Sequence, residues 1–342
     1  MTLQLPPHGI RFYDEVVARS MDLIQVGIWE GIRPARLRTW LNNFTTEIER
    51  YFCACLLDSL IYRSEDQTVA LTAQVFLRAL PDISRQFACP LGQIGDWLAL
   101  FCEPTAPLAR IIPVLKPSDP PGKSGDIIAR LLKRGFRIHP DSVIEPKGVF
   151  AAYQKGIRTF IFMDDFLGTG QQFQEVLQES KIDSLLSAIY AVYAPLAAHV
   201  DGIGFLGTHY PDVHVCPGEI LDWSHSLFHS ECNTFADGVN DGNRAKSFYY
   251  RLLEDRGIVL APGIPAPAPV LVSAVGAPAL GSSVGVGSSS PPFPNPGTMH
   301  PALRRGFGYL ELAYAFHHSI PDNCLPAFWW SKSANWNPLF NR

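Results

Sequence analysis

The chain has 342 residues, enough for two domains or for one large domain with an appendage, and its 47% hydrophobic and 18% charged content belongs to a globular protein rather than a disordered one. Its 28 Lys and Arg against 32 Asp and Glu give a net charge of −4 with no basic tract, so a surface that tracks a nucleic-acid backbone is not expected. No apolar run is long enough for a bilayer, and MTLQLPPHGI lacks the charged-then-apolar layout of a secretory signal, which points to the cytoplasm and to no membrane partner.

The first hundred residues read as helical, with one helix over 12–29. Across 38–62, Leu41, Phe44, Ile48, Tyr51, Phe52, Cys55 and Ser59 recur at helical spacing and predict a second helix with one core face. Ser64 and Gln67 have the spacing of a capping box that opens a helix running to Leu80, where Pro81 stops it. A further helix is expected over 91–101. Residues 1–105 therefore form a helical N-terminal domain, and composition leaves open whether it caps the rest of the chain or docks a partner protein.

Strand and helix signals alternate from residue 106 onward. RIIPVL (110–115) reads as a strand, with Pro113 implying an edge position, a bulge or an early end. KPSDPPGKSGD (116–126) follows, ahead of a helix over 127–134. Its Gly122-Lys123-Ser124 ends like a nucleotide-binding P-loop, but no glycine stands upstream at the spacing that loop needs, so an ATPase is set aside. Lys123, Ser124 and the amides of Gly122 and Gly125 remain suitable anion donors before a helix N-terminus. A second strand is expected over 136–145, and a short helix over 147–156 with Val149, Phe150 and Tyr153 on one face.

TFIFMDDFLGTGQQ (159–172) is the most informative stretch. Residues 160–163 make a short apolar run suited to a buried strand, with Asp164 and Asp165 at its carboxyl end. A Gly168-Thr169-Gly170 turn then feeds a helix over 171–180 that turns Phe173, Val176 and Leu177 inward. Strands are expected over 185–194, stopped by Pro195, and over 213–221. The pattern through 106–256 predicts an α/β domain with a mostly parallel sheet flanked by helices. In such a sheet ligands bind beyond the strand ends, and a glycine loop opening a helix offers free N–H groups to an anion. Phosphate plus a sugar diol is the natural ligand for a loop that follows two carboxylates.

The seven cysteines are odd in number and irregularly spaced, without a C-x-x-C, as suits reduced thiols packed as small hydrophobes. His209, His214, Cys216, His225, His229 and Cys232 crowd one segment; His225 and His229 would share a helical face as zinc ligands, but no second pair stands at a recognised spacing. A helix over 244–253 presents Phe248, Leu252 and Leu253 to the core. Residues 257–303 contain no Asp, Glu, Lys or Arg and are rich in Ala, Pro, Gly, Ser and Val, the composition of a flexible insert. Residues 304–342 resume with a strand expected over 306–316, then His317, His318 and SIPDNCLPAFWW.

The 159–172 stretch resembles the ribose-5-phosphate-binding signature of the type I phosphoribosyltransferases: four hydrophobic residues, an acidic pair, a short spacer and Thr-Gly. The whole arrangement, a helical N-terminal unit, a K-S-G loop, an acidic pair before G-T-G-Q-Q and the tail around PDNCLPAFWW, is similar to PRTase-CE, the phosphoribosyltransferase-like proteins of prokaryotic conflict systems. The resemblance implies a type I phosphoribosyltransferase-like fold, completed by 304–342, that binds phosphoribosyl pyrophosphate (PRPP) with Mg²⁺. Asp164 and Asp165 would meet the ribose 2′- and 3′-hydroxyls and the metal. Gly168, Thr169, Gly170, Gln171 and Gln172 would cradle the 5′-phosphate. Gly122, Lys123, Ser124 and Gly125 would hold the pyrophosphate, and Lys123 would stabilise its departure. Asn323 and His317 or His318 would lie near the crevice, while Trp329 and Trp330 seal the edge of the fold. Salvage enzymes often carry an acidic residue where this chain has Gly168, and a hydroxyl residue where it has Gln172, which PRTase-CE proteins share.

Two functions from different classes follow. One is an enzyme acting at the anomeric carbon of PRPP or a related ribose phosphate in a bacterial defence context. The other is a non-catalytic nucleotide or PRPP sensor on the same fold, favoured by the missing acidic residue at Gly168.

Overall fold

The computed structural model describes residues 2–86, 102, 109–116, 119, 124–258, 299 and 303–340. The helix expected over 91–101, Gly122, Lys123 and nearly all of the 257–303 insert lie outside the described residues.

The amino-terminal helices are α1 (Gly9–Gln25), α2 (Pro34–Leu41) and α3 (Glu47–Asp58). The first ends earlier than the periodicity suggests, since Gly27 takes a φ of 78° and turns the chain away. The long helix expected over 38–62 is broken in two, because Thr46 accepts from the Glu49 amide while Glu49 reaches back to the Thr46 amide, a capping box the hydrophobic period conceals. Past α3, residues Ile61–Arg63 form a strand, β1. The box at Ser64 and Gln67 opens α4 (Glu65–Gln74) as expected. Pro81 does not stop the helix. Val75–Ala79 widens into a π turn immediately before α5 (Leu80–Gln86), and this local adjustment carries Pro81, which has no N–H to offer.

The main sheet contains β2 (Ala109–Pro113), β3 (Thr159–Leu167), β4 (Tyr190–His199), β5 (Val213–Val215) and β6 (Glu219–Leu221), all paired in parallel in the order β2-β3-β4, with both β5 and β6 along the far edge of β4. Between the strands run α6 (Ser124–Gly135), α7 (Val149–Gln154), α8 (Gln171–Glu179) and α9 (Val200–His209). The strand expected over 136–145 shrinks to one parallel bridge, Ile111 with Val143, as Arg137 at φ 53° and Pro140 interrupt the extended backbone. Phe150, expected on the inner face of α7, is exposed. Pro195 does not end its strand either. Its carbonyl accepts from the Gly218 amide at 3.0 Å, and its hydrogen-free nitrogen faces the same edge, in the gap between β5 and β6. The single strand expected over 213–221 is divided there by Pro217.

Side-chain alternation along the strands divides the core. Ile111, Ile161, Met163, Val192 and Ala194 join Trp40, Phe52, Phe328 and Trp330 in one cluster. Ile112, Phe160, Phe162, Ala191 and Tyr193 join Phe173, Val176, Leu177 and Leu206, from α8 and α9, in the other. The sheet is thus covered on both faces, the doubly covered arrangement that parallel strands require.

The carboxyl-terminal part begins with α10 (Gly242–Asp255), which buries Ala245, Tyr249, Leu252 and Leu253 and leaves Phe248 half-buried. Of the strand expected over 306–316 only β7 (Tyr314–Phe316) forms, because Gly306, Gly308, Tyr309 and Glu311 all take positive φ. It pairs in parallel with β1, Ile61 facing Tyr314. Trp40 stacks on Phe328 at 5.9 Å and donates to the Ala327 carbonyl at 2.8 Å, so the amino-terminal helices and the tail share one core. Among the described residues no helix is long and apolar enough to cross a membrane.

Candidate functional site

Asp164 and Asp165 lie within β3 rather than at its end, since Phe166 and Leu167 continue the ladder opposite Ala197 and Ala198. The two carboxyl groups touch each other and draw their other partners from different elements. Asp164, 1% exposed, accepts from the Tyr193 hydroxyl at 3.1 Å in the α8 layer, and its other oxygen accepts from the Asp165 amide at 2.9 Å. Asp165, 6% exposed, accepts from the Ser319 hydroxyl at 2.8 Å, with His318 Nε2 3.5 Å from the same oxygen. The core alternation slips by one residue here: Met163 and Phe166 both join the first cluster, while Phe162 and Leu167 join the second. Two consecutive polar side chains occupy the slip.

Their electrostatics diverge. Burial pushes the Asp164 carboxyl well above the usual range, and the charge of Asp165 adds to this. Burial works the same way on Asp165, but the His318 and Ser319 contacts outweigh it and hold that carboxyl below its ordinary value. The environment therefore holds a proton more readily on Asp164 than on Asp165.

Beyond the pair, Gly168, Thr169 and Gly170 lead into α8, whose first residues, Gln171 and Gln172, are exposed. Gly170 is the N-cap at φ 86°, no side chain caps the helix, and a Cβ on Gly170 would stand 2.6 Å from the Phe205 ring. These features leave amides at a helix N-terminus for an anion to use. The carboxyl-terminal tail covers this loop. A Cβ on Gly168 would collide with the Asn323 side chain, and one on Gly308 with Thr169. The absence of an acidic side chain at 168 thus has a packing reason: Asn323 fills that space and donates to the Phe307 carbonyl at 2.8 Å. His318 lies against Asp165 and Asn323 against Gly168, while the His317 amide donates to the Arg63 carbonyl at 2.8 Å. Trp329 and Trp330 are buried in the shared core.

In the second loop, Ser124 opens α6 and Gly125 packs so tightly on Leu115 that a Cβ would lie 2.6 Å from it. Lys116, which the sequence did not single out, pairs with Glu175 at 2.7 Å and ties the end of β2 to α8. Tyr193, Ser319 and Phe205 were also missed; each sits far from residues 159–172 in sequence and reaches them only through sheet register or the path of the tail.

Two hard carboxylate oxygens suit a magnesium ion whose other ligands are water and substrate oxygens. Among the described residues no group of three or more His, Cys, Asp and Glu converges as a metal site, so the pair fits such an ion only jointly with ligand oxygens. The histidines of 209–229 do not converge on a metal site. His209 stacks on Phe205 and His229 on Trp223, His214 is tilted against Tyr190, and His225 lies in a short 3-10 turn and contacts Asp222 at 2.9 Å.

Chemically, the site offers two carboxylates that accept from hydroxyl donors, directly before a glycine loop at an uncapped helix N-terminus. No curated protein and no solved structure matches the chain. The family model PRTase-CE matches residues 37–342, which takes in the capped helices, the acidic strand, its loop and the whole tail, and the chain belongs to the PRTase-CE family.

Proposed function

We propose that this phosphoribosyltransferase-like protein binds PRPP or a related ribose phosphate at the β3–α8 junction and acts at its anomeric carbon in a prokaryotic defence setting. The observation that carries the reading is the pairing of hydroxyl groups with both carboxylates: Tyr193 donates to Asp164 and Ser319 to Asp165, immediately before an anion-accepting loop. A ribose offers two neighbouring hydroxyls and a 5′-phosphate in the same relation. Asp164 and Asp165 would take the diol, the 168–172 segment the phosphate, and Gly122, Lys123, Ser124 and Gly125 the pyrophosphate. Bound with the ligand, Mg²⁺ would offset pyrophosphate charge, held by Asp164 and Asp165 together with ligand oxygens. As the C1–O bond to pyrophosphate breaks, the leaving group takes the electron pair. The charge of Asp165 favours the positive character developing at the sugar, Lys123 favours the departing anion, and an acceptor nucleophile completes the new bond at C1. The defence setting is supported by family membership alone.

The second reading, a sensor that binds the same ligand without turnover, is favoured by the tail lying over the loop and by Asn323 filling the space above Gly168. Calorimetric titration with PRPP, with and without Mg²⁺, alongside a coupled pyrophosphate assay, tests both. Mg²⁺-dependent binding with pyrophosphate release is expected for the enzyme, and binding without release for the sensor. The double variant Asp164→Asn/Asp165→Asn should lose binding, and unchanged affinity in a folded double variant would remove the site assignment.

A further inference from the structure

The segment that reaches Asp165 is a tight turn. The Phe316 amide donates to the Ser319 carbonyl at 2.8 Å and the Ser319 amide returns to the Phe316 carbonyl at 3.3 Å, so His317 and His318 sit at its tip. Both flanks are fixed: β7 is buried and paired with β1 on one side, and Cys324 and Leu325 are fully buried on the other. Between these anchors, Ser319 and His318 cover the Asp165 carboxylate, and the His318 ring stacks on Phe316 at 5.3 Å. The His317 ring meets the His318 ring edge-on at 4.6 Å and links the turn to the amino-terminal part. His317 donates its amide to Arg63 at the end of β1, and its Nδ1 lies 3.4 Å from the Thr68 hydroxyl in α4.

We infer that the Phe316–Ser319 turn is a built-in competitor of the ligand: Ser319 stands in for a sugar hydroxyl on Asp165, and ligand entry lifts the turn and loosens its attachment to β1 and α4. The inference rests on the ribose-phosphate reading. With Asp164 and Asp165 1% and 6% exposed, a sugar reaches the pair only after the covering groups move. The exchange is close to balanced, because a ligand hydroxyl replaces the Ser319 hydroxyl on the same carboxylate oxygen, one hydrogen bond for another. A closed state of this kind lowers apparent affinity by the fraction of molecules that are open. Because one four-residue turn holds Asp165 with one side and Arg63 and Thr68 with the other, occupancy of the site and the position of the amino-terminal helices are linked.

The test uses the full chain. Ser319→Ala removes the competing hydroxyl and should bind PRPP with Mg²⁺ about ten- to a hundredfold more tightly than wild type, the size expected for one hydrogen bond to a charged group. Ser319→Thr keeps the hydroxyl and should stay near the wild-type affinity. Hydrogen exchange on the unmodified protein is a measurement independent of any variant: saturating PRPP and Mg²⁺ should speed exchange at the amides of Phe316, His317 and Ser319. Equal or weaker binding by Ser319→Ala, or slower exchange in the turn, would overturn the competitor role while leaving the ribose-phosphate reading standing if Asp164→Asn/Asp165→Asn still abolishes binding. Absence of PRPP binding by both wild type and Ser319→Ala would overturn both.

Discussion

The opposite pKa shifts of Asp164 and Asp165 have a stability signature. Asp164 has a raised pKa, so its contribution is complete below the ordinary carboxylate value and is lost as pH rises from there. Asp165 has a lowered pKa, so its contribution is present above the ordinary value and is lost as pH falls through the folded one. Asn is a close stand-in for a protonated Asp and still accepts from Tyr193. Asp164→Asn should therefore cost less than Asp165→Asn at pH 7, and its penalty should shrink as pH rises above the ordinary carboxylate value. Asp165→Asn loses the charge that faces Ser319 and His318 and should cost about 1.5–3 kcal/mol at pH 7. Thermal melts of both single variants across pH check the pattern, and equal penalties at pH 7 would contradict it. The sequence displayed the two acids and the loop, because strand, charge and glycine stand next to one another in the chain. It hid the asymmetry, because Tyr193, His318 and Ser319 arrive from β4 and the tail.

The elements show where linear signals mislead. Both prolines read as terminators, Pro81 and Pro195, lie inside continuing elements, one after a π turn and one opposite a gap in the sheet. Periodicity finds a buried face but not the cap that divides it, as at Thr46, and a bridge of one residue at Val143 leaves almost no pattern to find. The passage from β4 to α9 carries a testable feature of the same kind. His199 ends the strand, caps the helix by accepting from the Asp201 amide at 3.3 Å, and meets Trp223 edge-on at 4.9 Å. Burial pushes its pKa down to about 4, so it is neutral in the fold. The unfolded chain binds this proton more readily, and stability is lost as pH falls from about 6.5 toward 4, by about 3 kcal/mol in all. His199→Asn keeps a capping side chain and removes the titration. Urea unfolding should show a markedly flatter loss of stability over that pH interval in the variant, and an unchanged slope would place the acid sensitivity elsewhere.

Across the whole molecule, the termini are joined through the core rather than held at its edges. β1 pairs with β7, Tyr62 stacks on Phe340, the Asn43 side chain bonds to the Asn337 backbone in both directions, and Trp40 lies against Phe328. Sequence distance concealed this, since nearly three hundred positions separate Asn43 from Asn337. The composition break at 257–303 precedes a tail whose described residues run from 303 to 340. A shared core predicts shared unfolding. Trp40 is fully buried, and Trp40→Ala removes a large ring together with its bond to Ala327, at a cost of about 3–5 kcal/mol. If the amino-terminal helices were an independent cap, that loss would appear as a separate, earlier transition, with the tail and the sheet unaffected. With Trp40 packed on the tail, the variant should instead unfold the helices and residues 303–340 together. Hydrogen exchange resolved by segment distinguishes the two cases: protection should fall in parallel at α3, β1, β7 and the Pro326–Trp330 region. Because β7 runs directly into the turn that covers Asp165, the same variant should also loosen the candidate site, making its affinity for PRPP a sensor of packing at the opposite end of the chain.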